Sequence, residues 1–86
     1  MYYIYILECY DNTLYTGITT NLQKRLDEHN NSDKGAKYTR ARRPVKMIYH
    51  EESSNRSTAS KREYAIKKLT RLKKLQLIAD LTHLEK

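Results

Sequence analysis

Residues 2–8, with the sequence YYIYILE, constrain the fold of this 86-residue chain more than any other segment. Their β-branched and aromatic side chains predict a β-strand. Successive side chains of a strand point to opposite faces, which gives two sets of alternate positions: Tyr2, Ile4 and Ile6, and Tyr3, Tyr5 and Leu7. Because both sets are apolar, we expect this strand to be covered on both faces.

The rest of the chain predicts two more strands and three helices. Asp11 and Asn12 form the turn of a hairpin, which makes the first two strands antiparallel. Turn, capping and periodicity signals give the remaining elements in chain order: a strand at 14–17, a helix at 21–30, a loop at 31–44, a strand at 45–52, a helix at 57–69 and a last helix capped by Thr70. The order β-β-α-β-α-α predicts one small α/β (α+β) domain over residues 1–86, with a three-stranded sheet flanked by three helices.

Alternation also predicts the faces of the third strand, one of which is more polar than the other. The two sets of alternate residues are Val45, Met47 and Tyr49, and Lys46, Ile48 and His50. We therefore expect Val45, Met47 and Tyr49 to share one face of the sheet.

The charge of the chain indicates a polyanionic partner. Lys and Arg number 17 against 10 Asp and Glu, which gives a formal net charge of +7 and an isoelectric point near 9.6. All eight aromatic residues are tyrosines. A tyrosine offers a stacking face and a hydroxyl group, which suits a polar groove or a reaction site better than a core built for packing alone.

Other features of the composition exclude several classes of protein. Two Gly and one Pro are too few for a collagen-like or low-complexity chain, and no apolar run is long enough for a membrane helix. Cys9 is the single cysteine, which excludes an intrachain disulfide and a cysteine-based zinc site. The start of the chain lacks the pattern of a secretory signal. We expect a cytoplasmic protein without a membrane partner.

The first helix carries two polar residues beside its apolar stripe. Leu22 and Leu26 must face the sheet, and Arg25 and His29 lie on the same continuous helical face. A guanidinium near a core is unfavourable unless it meets an anion or several acceptors. Two interpretations follow: the two polar heads reach water at the helix edge, or they belong to a site.

Glu63 shows a similar pattern in the second long helix. It follows Ala59 by four residues and precedes Ile66 by three, which places it on the flank of the apolar face. It could also close a capping box with Ser60, but this requires the helix to begin at Ser60, and Asn55 or Ser57 is the better start. Together with tyrosine hydroxyls, Arg25 and His29, Glu63 would supply the parts needed for phosphodiester hydrolysis with one metal ion.

The segment 34–46 is strongly basic. It contains six cationic residues and no acidic residue, and it also contains an aromatic residue, Tyr38. We predict that it binds nucleic-acid phosphates, through Lys34, Lys37, Tyr38, Arg40, Arg42, Arg43 and Lys46. The alternative is a solvated loop without a partner.

These residues together resemble the GIY-YIG nuclease family. Its first motif, Gly-Ile-Tyr, matches Tyr3-Ile4-Tyr5, and its second, Tyr-Ile-Gly, matches Tyr15-Thr16-Gly17 at the usual spacing. The family's helical arginine, the histidine or tyrosine one turn later and the metal-binding glutamate match Arg25, His29 and Glu63. Residues 35–45 and 62–68 resemble its small stand-alone bacterial branch, so the resemblance covers nearly the whole chain.

The resemblance implies a function and a role for each matching residue. It implies hydrolysis of a nucleic-acid phosphodiester, DNA before RNA, with one Mg²⁺ or Mn²⁺ bound by Glu63. In the family a tyrosine deprotonates the attacking water and the arginine stabilises the phosphate. The matching catalytic residues are Tyr5, Tyr15, Arg25 and His29, with Tyr5 favoured over Tyr15 as the base. We expect a monomer without a small-molecule cofactor.

The sequence also departs from the family pattern. Tyr3 replaces the motif glycine, Thr16 replaces the motif isoleucine, and Ile18 lies where some members have a lysine that would help to lower a tyrosine pKa. These departures concern rate and specificity more than fold. An alternative function is therefore a basic nucleic-acid-binding module that keeps the nuclease fold without useful turnover.

Overall fold

The computed structural model describes residues 1–84, and the side chains of residues 1–80. Glu85 and Lys86, which end the predicted domain, lie outside the described residues. The elements in chain order are β1 (Tyr2–Glu8), β2 (Leu14–Thr19), α1 (Leu22–Asn31), α2 (Lys37–Arg40), β3 (Lys46–Ser53), α3 (Arg56–Lys67) and α4 (Arg71–Leu84). The predicted α+β fold is confirmed, with the short helix α2 in addition. No helix among the described residues has the length and apolar character that a membrane crossing needs.

Strand β1 lies at the centre of the sheet. The strand order is β2-β1-β3, and both neighbours run antiparallel to β1. One face of β1, with Ile4 and Ile6, packs against α3 and α4, and the other, with Tyr5 and Leu7, packs against α1. All four side chains are at most 1% exposed. The prediction of a strand covered on both faces is therefore confirmed.

A β-bulge in β3 changes the faces predicted for this strand. Ile6 pairs with Tyr49, but the next residue, Leu7, pairs with Met47, so that Ile48 is an additional residue. Tyr49 consequently packs with Ile6 on the α3 side, whereas Met47 packs with Leu7 on the α1 side. The prediction that Val45, Met47 and Tyr49 share one face is confirmed for Val45 and Met47. It is wrong for Tyr49, because alternation holds only for an uninterrupted ladder.

Side-chain caps fix the starts of α1 and α4. The Asn21 side chain accepts a hydrogen bond from the backbone N–H of Lys24 at 3.0 Å. The Thr70 hydroxyl accepts one from the N–H of Lys73 at 3.2 Å. Each cap satisfies a backbone donor that has no partner within the helix. The predicted helix starts are therefore confirmed to within a residue.

The start of α3 decides between the two interpretations of Glu63. Asn55 is the N-cap, and its side chain accepts from the backbone N–H of Thr58 at 2.9 Å. Ser60 therefore lies inside the helix, and the capping-box interpretation of Glu63 is wrong. Glu63 therefore has no role in capping the start of α3.

The basic segment is more ordered than the predicted loop at 31–44. It contains α2, and it folds back onto the end of α1. At Gly35 a Cβ atom would lie 2.7 Å from the carbonyl oxygen of Glu28 and 2.8 Å from Cα of His29. Real Cβ atoms do not approach backbone so closely, so glycine is required for this contact. The basic segment is thereby held against the helix that carries Arg25 and His29.

Candidate active site

The two tyrosine motifs meet where β1 and β2 pair. Tyr5 lies opposite Gly17 in the antiparallel register, and its side chain is 1% exposed. A Cβ atom at Gly17 would lie 2.5 Å from the Tyr5 hydroxyl oxygen. The glycine of the second motif therefore makes room for the tyrosine ring of the first.

The predicted polar residues of α1 converge on this tyrosine. The Tyr5 hydroxyl lies 2.9 Å from His29 Nε2, and Arg25 Nε donates to the same oxygen at 3.4 Å. The Tyr15 ring packs edge-on against His29, with 5.4 Å between the ring centroids. His29 is fully buried, so the interpretation in which its polar head reaches water is wrong. We call Tyr5, Tyr15, Arg25 and His29 the tyrosine cluster.

Arg25 is held in place by three acceptors. Besides the Tyr5 hydroxyl, its guanidinium donates to a Glu28 carboxylate oxygen at 3.1 Å and to the Lys34 carbonyl at 2.8 Å. The Arg25 side chain remains 26% exposed. A planar cation fixed at this depth, with an edge toward solvent, suits the binding of a phosphate group.

Burial controls the protonation of the cluster. Desolvation raises the pKa of Tyr5, and the hydrogen bond and charge of Arg25 partly oppose this change. Desolvation, together with the positive charge of Arg25, lowers the pKa of His29 to about 4. At neutral pH the site therefore holds a protonated Tyr5 and an uncharged His29. Tyr5 must lose its proton before it can act as a base.

Glu63 approaches the cluster from a different direction. Helix α1 packs on the Tyr5 face of the sheet, whereas α3 packs on the opposite face, so the predicted residues do not all lie on one side of the sheet. The charge of Glu63 nevertheless contributes to the raised pKa of Tyr5. Its carboxylate is 23% exposed and pairs with Lys67, one turn later, at 3.4 Å.

The donor set suits only a sparsely ligated metal ion. Within the described part of the chain, no group of three or more His, Cys, Asp and Glu side chains could hold a metal ion. Mg²⁺ is commonly held by one or two carboxylates, with waters and substrate phosphates as the other ligands. Glu63, which is partly exposed and whose charge acts on Tyr5, fits that arrangement.

Two arginines of the basic segment form hydrogen bonds within the protein. Arg43 donates to the carbonyl oxygens of His29 and Ser32, both at 2.5 Å, and so closes the end of α1. Arg42 donates to Asp11 at 3.0 Å, and its guanidinium lies 3.9 Å from the centre of the Tyr38 ring.

The other predicted phosphate-binding residues of the basic segment are exposed. Lys46 pairs with Glu8 at 3.3 Å, and Arg40 donates to the Asp33 carbonyl at 2.9 Å. Lys34, Lys37 and Tyr38 are exposed as well. The structure therefore divides the predicted phosphate-binding residues into an exposed set and a set, Arg42 and Arg43, that holds the segment in place.

The sequence did not indicate Thr39, which contacts the tyrosine cluster. Its side chain is fully buried, and its hydroxyl oxygen lies 2.8 Å from His29 Nδ1. Thr39 was missed because a threonine within a run of cations is typical of an exposed loop. Gly35 could have indicated that this segment packs against another element, since an isolated glycine can mark close backbone contact.

The fold and the site define a class of protein. The family model described as the GIY-YIG catalytic domain matches residues 1–76. The chain belongs to this family. The sequence resemblance is thus confirmed over most of the chain.

Two similar relatives are small UPF0213 proteins. The UPF0213 protein CPE1444 of Clostridium perfringens is 60% identical over 79 residues, which cover 92% of this chain and 84% of the relative. The UPF0213 protein DP2720 of Desulfotalea psychrophila is 57% identical over 77 residues, covering 90% and 70%. These relatives support the prediction of the small stand-alone branch.

A solved structure also matches. The solution NMR structure of the protein EF2693 from E. faecalis is 50% identical to this chain, has a TM-score of 0.65, and is matched over 99% of this chain and 88% of its own.

Proposed function

We propose that this protein is a metal-dependent nuclease that hydrolyses phosphodiester bonds of nucleic acids, with DNA as the preferred substrate. The observation that carries the proposal is the contact of one buried tyrosine hydroxyl with both His29 and Arg25. The charge of the Glu63 carboxylate also acts on this tyrosine. A proton acceptor, a fixed cation and a metal-binding carboxylate are the groups that phosphodiester hydrolysis requires.

In this proposal the tyrosine cluster prepares the nucleophile. Tyr5 passes its hydroxyl proton to His29 Nε2, which it already contacts at 2.9 Å. The Tyr5 oxygen then takes a proton from the attacking water, while the nearby Arg25 stabilises the negative oxygen. We assign the base role to Tyr5, because its hydroxyl contacts both an acceptor and a cation, and a positioning role to Tyr15, whose ring packs on His29.

Arg25 and Glu63 act on the phosphate. Arg25 stays protonated at all relevant pH values and donates hydrogen bonds to phosphate oxygens as charge develops on them. Glu63 would hold one Mg²⁺ or Mn²⁺, which would supply Lewis-acid stabilisation of the leaving oxygen. Without the cation, the Glu63 carboxylate pairs with Lys67.

The exposed part of the basic segment binds the nucleic-acid backbone. Lys34, Lys37 and Arg40 are exposed cations on the segment that packs against α1, and phosphate contacts of this kind supply affinity without sequence specificity. Arg42 holds Tyr38 in a stack with Tyr15, with 5.9 Å between the ring centroids. In this way the segment connects the bound backbone to the tyrosine cluster.

The alternative function is nucleic-acid binding without turnover. The observation that favours it is the resting protonation of the cluster, in which Tyr5 holds its proton and the pKa of His29 lies near 4. Affinity then depends on the exposed cations alone and requires no metal ion. A monomeric state and a cytoplasmic location stay predictions under either function.

One experiment separates the two functions. The purified protein is incubated with end-labelled single- and double-stranded DNA and RNA in Mg²⁺, in Mn²⁺ and in EDTA. The nuclease proposal predicts cleavage of DNA with either cation and none in EDTA. Binding to the same substrates without cleavage under any of these conditions would contradict it and support the binding module.

A further inference from the structure

A buried chain of hydrogen bonds continues from the tyrosine cluster into the basic segment. Tyr5 and His29 are linked at 2.9 Å, His29 Nδ1 and the Thr39 hydroxyl at 2.8 Å, and the Thr39 hydroxyl and the Ala36 carbonyl at 3.0 Å. The first three side chains are at most 1% exposed. Such a chain, closed off from water, has few ways to arrange its protons.

One arrangement gives a proton to every short contact. If the Thr39 hydroxyl donates to Ala36, its oxygen is left to accept, so His29 Nδ1 must carry a proton and donate it to Thr39. His29 Nε2 is then unprotonated and accepts the Tyr5 hydroxyl proton. All three contacts of 3.0 Å or less are then hydrogen bonds.

The opposite arrangement leaves a buried proton without an acceptor. If His29 Nε2 carries the proton, the Tyr5 oxygen receives donors from both His29 and Arg25 Nε, and its own hydroxyl proton loses the acceptor that it had in Nε2. The Thr39 hydroxyl turns to Nδ1 and leaves the Ala36 carbonyl. The gain is one long contact, from the Ala36 N–H to Nδ1 at 3.4 Å, which does not compensate for the buried proton.

We propose that Thr39 is a positioning residue, whose hydroxyl accepts the Nδ1 proton of His29 and thereby presents an unprotonated Nε2 to the Tyr5 hydroxyl. The catalytic consequence rests on the proposed function. The Tyr5 O–H bond breaks and a new N–H bond forms at Nε2. The resulting imidazolium keeps its Nδ1 proton, which stays hydrogen-bonded to the Thr39 hydroxyl oxygen. The Tyr5 oxygen is then able to accept a proton from the attacking water.

Two further features support this role. The low pKa of His29, near 4, keeps the ring uncharged at neutral pH, so that one nitrogen is free and the choice of nitrogen matters. In addition, Arg43 binds the His29 carbonyl and Gly35 allows the basic segment to contact His29 Cα. The segment that carries Thr39 is therefore held against the helix that carries His29.

The direct test is the tautomer of His29 in the wild-type protein. Long-range ¹H–¹⁵N NMR correlation at pH 7 distinguishes a protonated from an unprotonated ring nitrogen. We expect His29 to have a protonated Nδ1 and an unprotonated Nε2. The opposite tautomer would overturn the proposal, and this result does not depend on whether the protein is a nuclease.

Variants of Thr39 test the consequence. Thr39→Ser keeps the hydroxyl and should keep both the tautomer and the cleavage rate within about twofold. Thr39→Val keeps the shape but removes the acceptor, so kcat should fall by roughly 10–100-fold with little change in KM, and the His29 tautomer should change. Thr20→Val, at an exposed threonine, is the matched control and should behave like the wild type.

The outcomes separate this proposal from the proposed function. If the Thr39→Val variant cleaves like Thr39→Ser, Thr39 does not position His29 for catalysis. If the tautomer is as expected but the wild type does not cleave, the proposed function fails while the positioning of His29 by Thr39 stands. If Thr39→Val does not fold, the wild-type tautomer and the Thr39→Ser variant decide.

Discussion

The two faces of strand β1 are both buried, but they differ in chemistry. On the α3 side, Ile4 and Ile6 pack against aliphatic side chains and against Tyr49, whose hydroxyl donates to Glu51. On the α1 side, Tyr5 lies among polar groups, and its burial is tolerated because its hydroxyl is paired with His29. A face that buries polar groups must position them accurately, and the same requirement makes it suited to catalysis. We call the α3 side of the sheet the apolar face and the α1 side the polar face. We assign stability mainly to the apolar face and chemistry to the polar face.

Glu63 gives the largest expected effect, because in the proposed mechanism it holds the metal ion, although it lies on the helix of the apolar side. Glu63→Gln should reduce metal-dependent cleavage by at least about 1,000-fold, since the carboxylate proposed to hold the cation is lost. Stability and nucleic-acid affinity in EDTA should change little. Cleavage assays in Mg²⁺ and Mn²⁺ measure the effect, with Asp80→Asn, at an exposed acid of α4, as the control. Wild-type cleavage by Glu63→Gln would remove Glu63 from the site.

Arg25 tests whether the polar face needs a particular geometry or only a positive charge. Arg25→Lys keeps the charge but loses the planar group that reaches Tyr5, Glu28 and the Lys34 carbonyl. We expect kcat to fall by about 100–1,000-fold with a much smaller change in binding. Arg56→Lys, at an exposed position of α3, is the matched control. An Arg25→Lys variant as active as this control would show that charge alone suffices.

The burial of His29 predicts that the polar face depends on pH. Its pKa is about 4 in the folded protein and about 6.5 in an unfolded chain, so the unfolded state binds a proton first as pH falls. The stabilisation by neutral His29 is complete above about pH 6.5 and decreases toward pH 4, by about 3 kcal/mol. Denaturant unfolding between pH 7 and 4 should show this loss in the wild type.

Two histidine variants isolate this effect from the titration of other groups. The side chain of the His29→Gln variant does not titrate. Between pH 7 and 4, its free energy of unfolding should therefore decrease by about 3 kcal/mol less than that of the wild type. His50→Gln, at an exposed histidine of β3, should keep the wild-type dependence. Equal slopes for all three proteins would mean that His29 is not desolvated in the folded state.

The basic segment gives the smallest effect and concerns affinity. Alanine at Lys34, Lys37 and Arg40 should reduce the slope of log K against log salt by about 0.7–0.9 for each phosphate contact that is lost. A control with the same loss of charge replaces Lys61, Arg71 and Lys73, which are exposed on α3 and α4. If both triple variants show the same slope, phosphate binding is not localised to the segment beside the polar face.

The sequence predicted local features of both faces, but not the pairing between distant segments. The alternate apolar residues of β1, the caps at Asn21 and Asn55 and the spacing of Arg25 and His29 are local signals, and the structure confirms the elements that they predicted. The bulge at Ile48 depends on pairing between strands that are distant in sequence, which local alternation does not report.

The polar network was less predictable because its members come from separate segments. Thr39 reaches His29 only because the basic segment folds back onto α1, and no periodicity records that contact. In the sequence, Arg43 cannot be distinguished from an exposed arginine, yet it donates to the carbonyl oxygens at the end of α1. The resemblance to the family indicated which residues belong together, whereas the structure gave the hydrogen bonds between them.

Two buried tyrosines test the division between the faces most directly. Tyr5 contacts His29 on the polar side, and Tyr49, 6% exposed, donates to Glu51 and packs on the apolar side. Replacement by phenylalanine removes only the hydroxyl in each case. The measurement is kcat/KM for DNA cleavage in Mg²⁺ by Tyr5→Phe and Tyr49→Phe. We predict a loss of at least about 100-fold for Tyr5→Phe and a change within about twofold for Tyr49→Phe, and equal activity of the two variants would contradict the assignment of chemistry to the polar face.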